Sequence, residues 1–333
     1  MTKKPHVLVT GGAGYIGAHA CKALARSGYV PVTFDNLSTG HAGAVQFGPL
    51  IGGDLMDKGA IEVVLAEWLP VAVMHFAALS LVGDSMRDPA SYWRVNVTGA
   101  LNLIEATVAA GISDFVFSST CATYGDQDGV VLSEETLQRP VNAYGASKKA
   151  IEEILANFAD SHGLNHVIFR YFNVAGADPD GEIGEIHDPE THLIPLLLET
   201  VSGKRPALTV FGTDYPTRDG TCVRDYVHVS DLAEAHVLGL DWLRAGKGRR
   251  VFCLGTGTGF SVREVIDQAQ LVTNRPVPIT IGARRAGDAA SLVCGSDRAM
   301  SELGWRPERS TLPQMIRDAW AWSQGTGYSL SEG

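Results

Sequence analysis

The stretch His6-Val7-Leu8-Val9-Thr10-Gly11-Gly12-Ala13-Gly14-Tyr15-Ile16-Gly17 decides the fold. A short β-branched run breaks directly into glycines, and helix-forming sequence follows at once. Glycine lets the backbone turn tightly and lets amide groups approach a pyrophosphate at the positive end of a helix. A glycine trio by itself reads as a turn, but its place between the first strand and the first helix marks a dinucleotide site. Asp35 supports this. It ends the second candidate strand, about 20 residues beyond the glycines, where a carboxylate accepts hydrogen bonds from a ribose diol. An acid there repels a 2′-phosphate, so NAD is expected over NADP. Read alone, Asp35-Asn36 is a turn.

Working outward, apolar runs alternate with amphipathic stretches, the pattern of parallel strands joined by crossover helices. Candidate strands are His6–Thr10, Val30–Phe34, Val71–Phe76, Phe115–Ser119 and His166–Tyr171. Strands buried on both faces read as nearly continuous apolar runs, as these do. Helices are expected over Ile16–Ser27, Ala90–Ala110 and Ala143–Ser161. After Asn173 the alternation stops, and Gly, Pro, Asp and Glu dominate through Pro189, which puts a domain boundary near residue 175. Asp231–Leu243 and Val251–Leu254 read as a last helix and strand returning to the first sheet. The expected fold is therefore α/β. It is a doubly wound parallel (Rossmann) sheet over residues 1–175, with 228–258 returning to it, and a second, smaller α/β substrate domain over 176–333.

With 333 residues the chain is too long for one compact core. A formal charge of −10 with scattered Lys and Arg gives no basic stripe, so nucleic acid is not expected as a partner. No apolar run suits a signal peptide or a membrane span, which implies a cytoplasmic protein. The five cysteines form no close pair and read as small buried apolar residues rather than as a disulfide framework or zinc site. No metal is expected.

Tyr144-Gly145-Ala146-Ser147-Lys148 sets a phenol and an ammonium at i and i+4, on one face of a predicted helix. A phenol is a poor base at neutral pH, and nearby positive charge favours the phenolate. Lys148 and an oxidised nicotinamide are expected to supply that charge and make Tyr144 a general acid/base. Upstream, Phe117-Ser118-Ser119-Thr120 ends a strand with hydroxyls at the carboxyl edge of the sheet, where such folds bind ligands. Thr120 is expected to hydrogen-bond the reacting hydroxyl. Without Tyr144 and Lys148 it would read as a turn residue.

The Gly-x-x-Gly-x-x-Gly spacing resembles the extended short-chain dehydrogenase/reductase family. Thr10–Gly17, Phe117–Gly125, Tyr144–Lys148, Arg170–Ala177, Phe211–Val229 and Arg284–Asp288 stand in the order and spacing of bacterial UDP-glucose 4-epimerases, nearest those serving exopolysaccharide synthesis. The resemblance implies reversible 4-epimerisation of UDP-glucose and UDP-galactose through a transient 4-keto sugar, with NAD held throughout, in a homodimer packed through Ala90–Ala110 and Ala143–Ser161. It implies that Gly11, Gly14, Tyr15, Ile16 and Gly17 cradle the cofactor, flanked by Asp35, Asn36, Asp54 and Leu55. Phe76, Ala77, Ala78, Asn96, Ser118, Tyr144, Lys148 and Tyr171 complete that groove. For the substrate it implies Thr120, Tyr144, Asn173, His192, Leu193, Phe211, Arg224, Tyr226, Arg285, Asp288 and Leu292.

Guanidinium forks match phosphate oxygens, and two arginines suit a diphosphate. Two departures stand out. Ser80 replaces a lysine that many of these enzymes place on the cofactor phosphates, and His192 replaces an asparagine. Leu292 is intermediate between the bulky and small residues of the family, which points to plain hexoses, with N-acetylhexosamines or pentoses such as UDP-xylose as alternatives. A sugar-nucleotide 4,6-dehydratase is disfavoured because Cys121-Ala122 follows Thr120, where dehydratases carry an Asp-Glu pair. A non-catalytic NAD sensor is disfavoured because the Tyr144/Lys148 pair is kept.

Overall fold

The computed structural model describes residues 4–127, 129–285 and 289–325. Seven parallel strands form one sheet: β1 (His6–Thr10), β2 (Val30–Asp35), β3 (Leu50–Gly52), β4 (Ala72–His75), β5 (Asp114–Ser118), β6 (Asn165–Tyr171) and β7 (Arg250–Leu254). Their order is β7-β6-β5-β4-β1-β2-β3, so the direction of winding reverses between β1 and β4. Register at that switch aligns Thr10 with both Phe34 and His75. The ends of β1, β2, β4, β5 and β6 therefore open on one edge, where α/β sheets bind ligands.

Both faces of the sheet are covered. Val7 and Val9 pack with helices Tyr15–Arg26 and Val229–Arg244 on one face, and Leu8, Val32 and Phe117 pack with Lys58–Trp68, Gly99–Ala109 and Ala143–His162 on the other. This alternation explains the unbroken apolar strands. Helix Val229–Arg244 and β7 do return to the sheet, as the sequence implies.

A second core gathers Ile194, Leu197, Val210, Val265, Ile266, Met315 and Ile316 from helices Leu193–Val201, Val262–Thr273 and Leu312–Gln324 and from the parallel pair Leu208–Phe211 and Ile279–Gly282. A small mixed sheet, ordered Phe260–Ser261, Val223–Arg224, Ser291–Cys294, Val131–Leu132, ties the segment after β5 to residues beyond 220.

Two expectations need correction, on the helix over Ala90–Ala110 and on one cysteine. The helix foreseen over Ala90–Ala110 runs as Pro89–Tyr92, a wider π-type stretch Trp93–Thr98, and Gly99–Ala109. The alternation does stop where expected: after Asn173–Ala175, which pairs in parallel with Tyr226–His228, no element follows among the described residues until Leu193. Of the cysteines, Cys222 is only half-buried while the other four are buried, and all are free thiols.

Candidate active site

A single groove of about 1230 Å³ runs along the carboxyl edge of the sheet and on to the second core. Its floor begins at the glycine turn. Gly11 has φ of +74°, and a Cβ there would stand 2.5 Å from the Ala77 nitrogen. A Cβ on Gly17 would stand 2.1 Å from the Gly11 carbonyl oxygen, so this glycine lets the helix start against the turn. Gly14 is different: its nearest neighbour would be 3.4 Å away, so the protein itself leaves the space above Gly14 open. A backbone that keeps a Cβ-sized space beside a helix N-terminus suits a pyrophosphate.

Asp35 Oδ2 accepts from the Ala13 amide (3.0 Å) and Oδ1 from the Leu37 amide (2.9 Å), which fixes the carboxylate beside the glycine turn. A carboxylate has roughly four lone-pair sites, so sites remain for a ribose diol. Asn36 Nδ2 donates to Asp54 Oδ2 (2.8 Å), bracing the two residues that flank the far end, and Leu55 lies beside them. Tyr15, Ile16, Phe76, Ala77, Ala78 and Ser80 continue the wall. Asn96 stands behind it. It is fully buried, with Oδ1 accepting from the Leu79 amide (2.8 Å) and Nδ2 donating to the Leu79 carbonyl (3.0 Å) and Ser147 Oγ (3.0 Å). Its part is to hold the loop after Ala78, which corrects its assignment as a lining residue.

Asn142 caps helix Ala143–His162 through its side-chain oxygen (2.8 Å to the Gly145 amide) and so starts the helix one residue before Tyr144. Tyr144 and Lys148 both line the groove, and Thr120 is within hydrogen-bonding reach of the Tyr144 hydroxyl. Lys148 Nζ donates to the Ser118 carbonyl (2.9 Å) and lies 4.9 Å from the centre of the Phe117 ring.

The hydroxyls ending β5 have separate tasks. Ser118 Oγ pairs with the Tyr171 hydroxyl (2.5 Å), whereas Ser119 Oγ turns inward to Glu152 (2.5 Å). Glu152 also meets Arg170 (2.5 Å), whose Nη1 donates to the Tyr124 hydroxyl (2.8 Å). This buried network binds helix, β5 and β6 together beneath the reacting groups.

In the protein alone, burial pushes the Tyr144 phenol up to about 12, against the hydrogen bond from Thr120, which pulls it down. Burial also lowers Lys148 to about 7, opposed by the Glu152 charge. In the protein alone the pull that opposes burial at Tyr144 comes from Thr120.

At the other end, Arg224 and Leu292 face each other across a parallel pair, and Arg224 Nη1 is steadied by the Val223 (2.8 Å) and Ala289 (2.9 Å) carbonyls. The Arg285 guanidinium stacks 4.1 Å from the Phe211 ring centre. Asn173 Nδ2 donates to the Asp225 carbonyl (3.1 Å). Tyr226, His192 and Leu193 complete this end. Asp288 lies outside the described residues. The groove also takes in Glu185, His187, Glu190 and Arg205, which the sequence reading missed. The loop that carries the first three has no periodicity to expose them, and alternation of acids and histidines was its only signal.

Residues 7–255 match the family model for the NAD-dependent epimerase/dehydratase family, and the chain belongs to that family. Within it, the chain is 50% identical over 316 residues to the UDP-glucose 4-epimerase of Rhizobium leguminosarum bv. trifolii, covering 95% of this chain and 96% of that one. The crystal structure of UDP-glucose 4-epimerase from Brucella ovis in complex with NAD is similar at a TM-score of 0.93 and 46% identity, over 95% of this chain and 98% of that one. A UDP-glucose 4-epimerase from Stenotrophomonas maltophila, with bound NAD and formylated UDP-arabinopyranose, is similar at 0.93 and 39% identity, over 96% and 98%.

Proposed function

We infer that this protein is an NAD-dependent UDP-glucose 4-epimerase, interconverting UDP-glucose and UDP-galactose. The observation that carries the reading is the continuity of one groove from the open space over Gly14, past Tyr144 and Thr120, to Arg224 and Arg285. NAD, when bound, supplies a hydride acceptor and donor for the sugar carbon. The residues before 175, with the returning helix and β7, hold the cofactor, and those after it hold the nucleotide. Relatives of this sequence act on UDP-glucose by name, and a similar structure holds a UDP-sugar.

Tyr144 takes the proton of the 4-hydroxyl as the hydride leaves the same carbon, and Thr120 orients that hydroxyl. The sugar then turns about its link to the diphosphate and recovers both on the opposite face. Arg224 and Arg285 hold the diphosphate through this turn, while the hexose meets few polar groups. Firm binding away from the reacting carbon and loose binding at it is what the turn requires. Leu292 leaves room for plain hexoses. Dehydration would need an acid and base after Thr120, where Cys121 is buried in an apolar cluster.

The purified protein, with no added cofactor, should convert UDP-galactose to UDP-glucose when followed by anion-exchange chromatography. Tyr144→Phe should lower the rate by about 10²–10⁴ while keeping its NAD. An unimpaired variant would remove Tyr144 from the chemistry. Relative rates with UDP-N-acetylgalactosamine and UDP-xylose measure what Leu292 admits.

We also propose a cytosolic homodimer. The free thiols suit a reducing compartment, and no described helix is long and apolar enough to cross a membrane. Trp93 is 45% exposed on the stretch Trp93–Thr98, which packs against helix Ala143–His162, where Ile154 and Phe158 are half-buried, and these two elements offer a face suited to a second copy. Sedimentation at micromolar concentration should give a dimer that Trp93→Glu dissociates, and a wild-type monomer would sink the proposal.

A further inference from the structure

The loop from Glu185 to His192 folds its acids and histidines onto one point of the groove wall. Glu185 Oε1 lies 2.8 Å from His192 Nδ1 and 3.2 Å from His187 Nδ1. Glu190 offers Oε1 at 3.4 Å from His192 Nδ1 and Oε2 at 3.7 Å from His187 Nδ1. One donor atom from each residue falls within 4.8 Å of every other. Four ligands about 2.0–2.1 Å from a tetrahedral zinc stand about 3.3 Å apart, and the distances here straddle that spacing.

Two further observations separate this cluster from a pair of ordinary ion pairs. Both carboxylates are withdrawn from solvent, with side chains 8% and 9% exposed. His187 Nδ1 is buried without a well-formed hydrogen bond, although two carboxylates surround it. The neighbouring acidic group of Asp178, Asp180 and Glu182 is a useful contrast. There the Lys22 ammonium sits 2.6, 2.8 and 2.5 Å from the three carboxylates, so the protein's own cation fills the centre.

We propose that Glu185, His187, Glu190 and His192 form a tetrahedral divalent-metal site of the zinc type on the wall of the substrate groove. The donor set of two imidazoles and two carboxylates suits Zn²⁺ and Co²⁺ rather than a hard cation that prefers all-oxygen ligands. Both histidines present Nδ1, which leaves the Nε2 proton of His192 available for a hydrogen bond. The loop is already anchored by Trp322 Nε1 to the Glu185 carbonyl (3.2 Å) and by His41 Nε2 against the Ile186 carbonyl (3.3 Å). An ion would lock it and fix His192 at the start of helix Leu193–Val201.

The test uses the full chain, chelator-treated and then titrated with Co²⁺ and with Zn²⁺. The expected result is one ion per chain, the intense visible band of four-coordinate Co²⁺, and displacement of Co²⁺ by Zn²⁺. His187→Ala and Glu190→Gln should each weaken binding more than about tenfold, with circular dichroism reporting that the fold is kept. Wild-type protein that gives no four-coordinate spectrum, or binds no better than folded variants, overturns the site. None of these readouts uses turnover, so the result stands apart from the epimerase reading.

Discussion

Two glycines of the same motif make opposite demands, and this separates folding from binding at the scale of single residues. Gly17→Ala would drive a methyl to 2.1 Å from the Gly11 carbonyl oxygen, which is backbone and has no rotamer to give. The helix must move, and the expected cost is about 1–3 kcal/mol in denaturant unfolding of the cofactor-free protein. Gly14→Ala meets nothing closer than 3.4 Å, and its φ of −82° is ordinary for alanine. At the N-cap, where glycine is preferred to alanine, the change should cost up to about 1 kcal/mol. Its effect should appear in NAD affinity instead, because the methyl occupies space assigned to the pyrophosphate. Equal loss of stability in both variants would contradict this division. The sequence alone places both glycines in one motif, and only the contacts tell them apart.

At the scale of elements, legibility followed burial. Strands covered on both faces announce themselves as apolar runs, so β1, β2 and β4 to β6 were readable to within a residue or so. The short edge strand β3 (Leu50–Gly52) and helix Lys58–Trp68 were not read from periodicity, because β3 has a neighbour on one side only and its residues are at most half-buried. The groove residues of β1, β2 and β5 were legible because motif and strand end coincide. Glu185, His187 and Glu190 lie in a loop with no period.

The Glu152–Arg170 pair was also missed, since Glu152 belongs to no motif and Arg170 stood only as the first residue of the segment Arg170–Ala177, with no partner to read from the sequence. It joins helix Ala143–His162 to β6 with both side chains less than a tenth exposed. Glu152→Gln keeps the shape but leaves the Arg170 guanidinium buried without its counter-charge, a loss on the order of 3–5 kcal/mol. Urea unfolding should show it. A loss below about 1 kcal/mol would mean that Tyr124 alone satisfies the arginine.

The whole molecule carries a pH dependence that follows from where its histidines lie. Burial lowers His19, His166 and His236 to about 4 and His75 to about 3. All four are at most 4% exposed. Each is neutral in the fold, whereas in the unfolded chain it titrates near 6.5. The unfolded state therefore binds more protons between about pH 6.5 and 4, and stability must fall as pH drops through that window. His187 and His192 have the opposite sign. Held at about 9 and 10, they are protonated in both states below 6.5 and add nothing to this acid limb. A buried histidine lowered by roughly 2 units forgoes about 3 kcal/mol once pH passes below its folded value. Four of them together match or exceed the 5–15 kcal/mol that holds a typical domain. Calorimetric scans between pH 7 and pH 5 should thus show a falling Tm with net proton uptake on unfolding. A Tm unchanged over that interval would mean that these four rings are already charged in the fold, or that it opens locally to admit their protons.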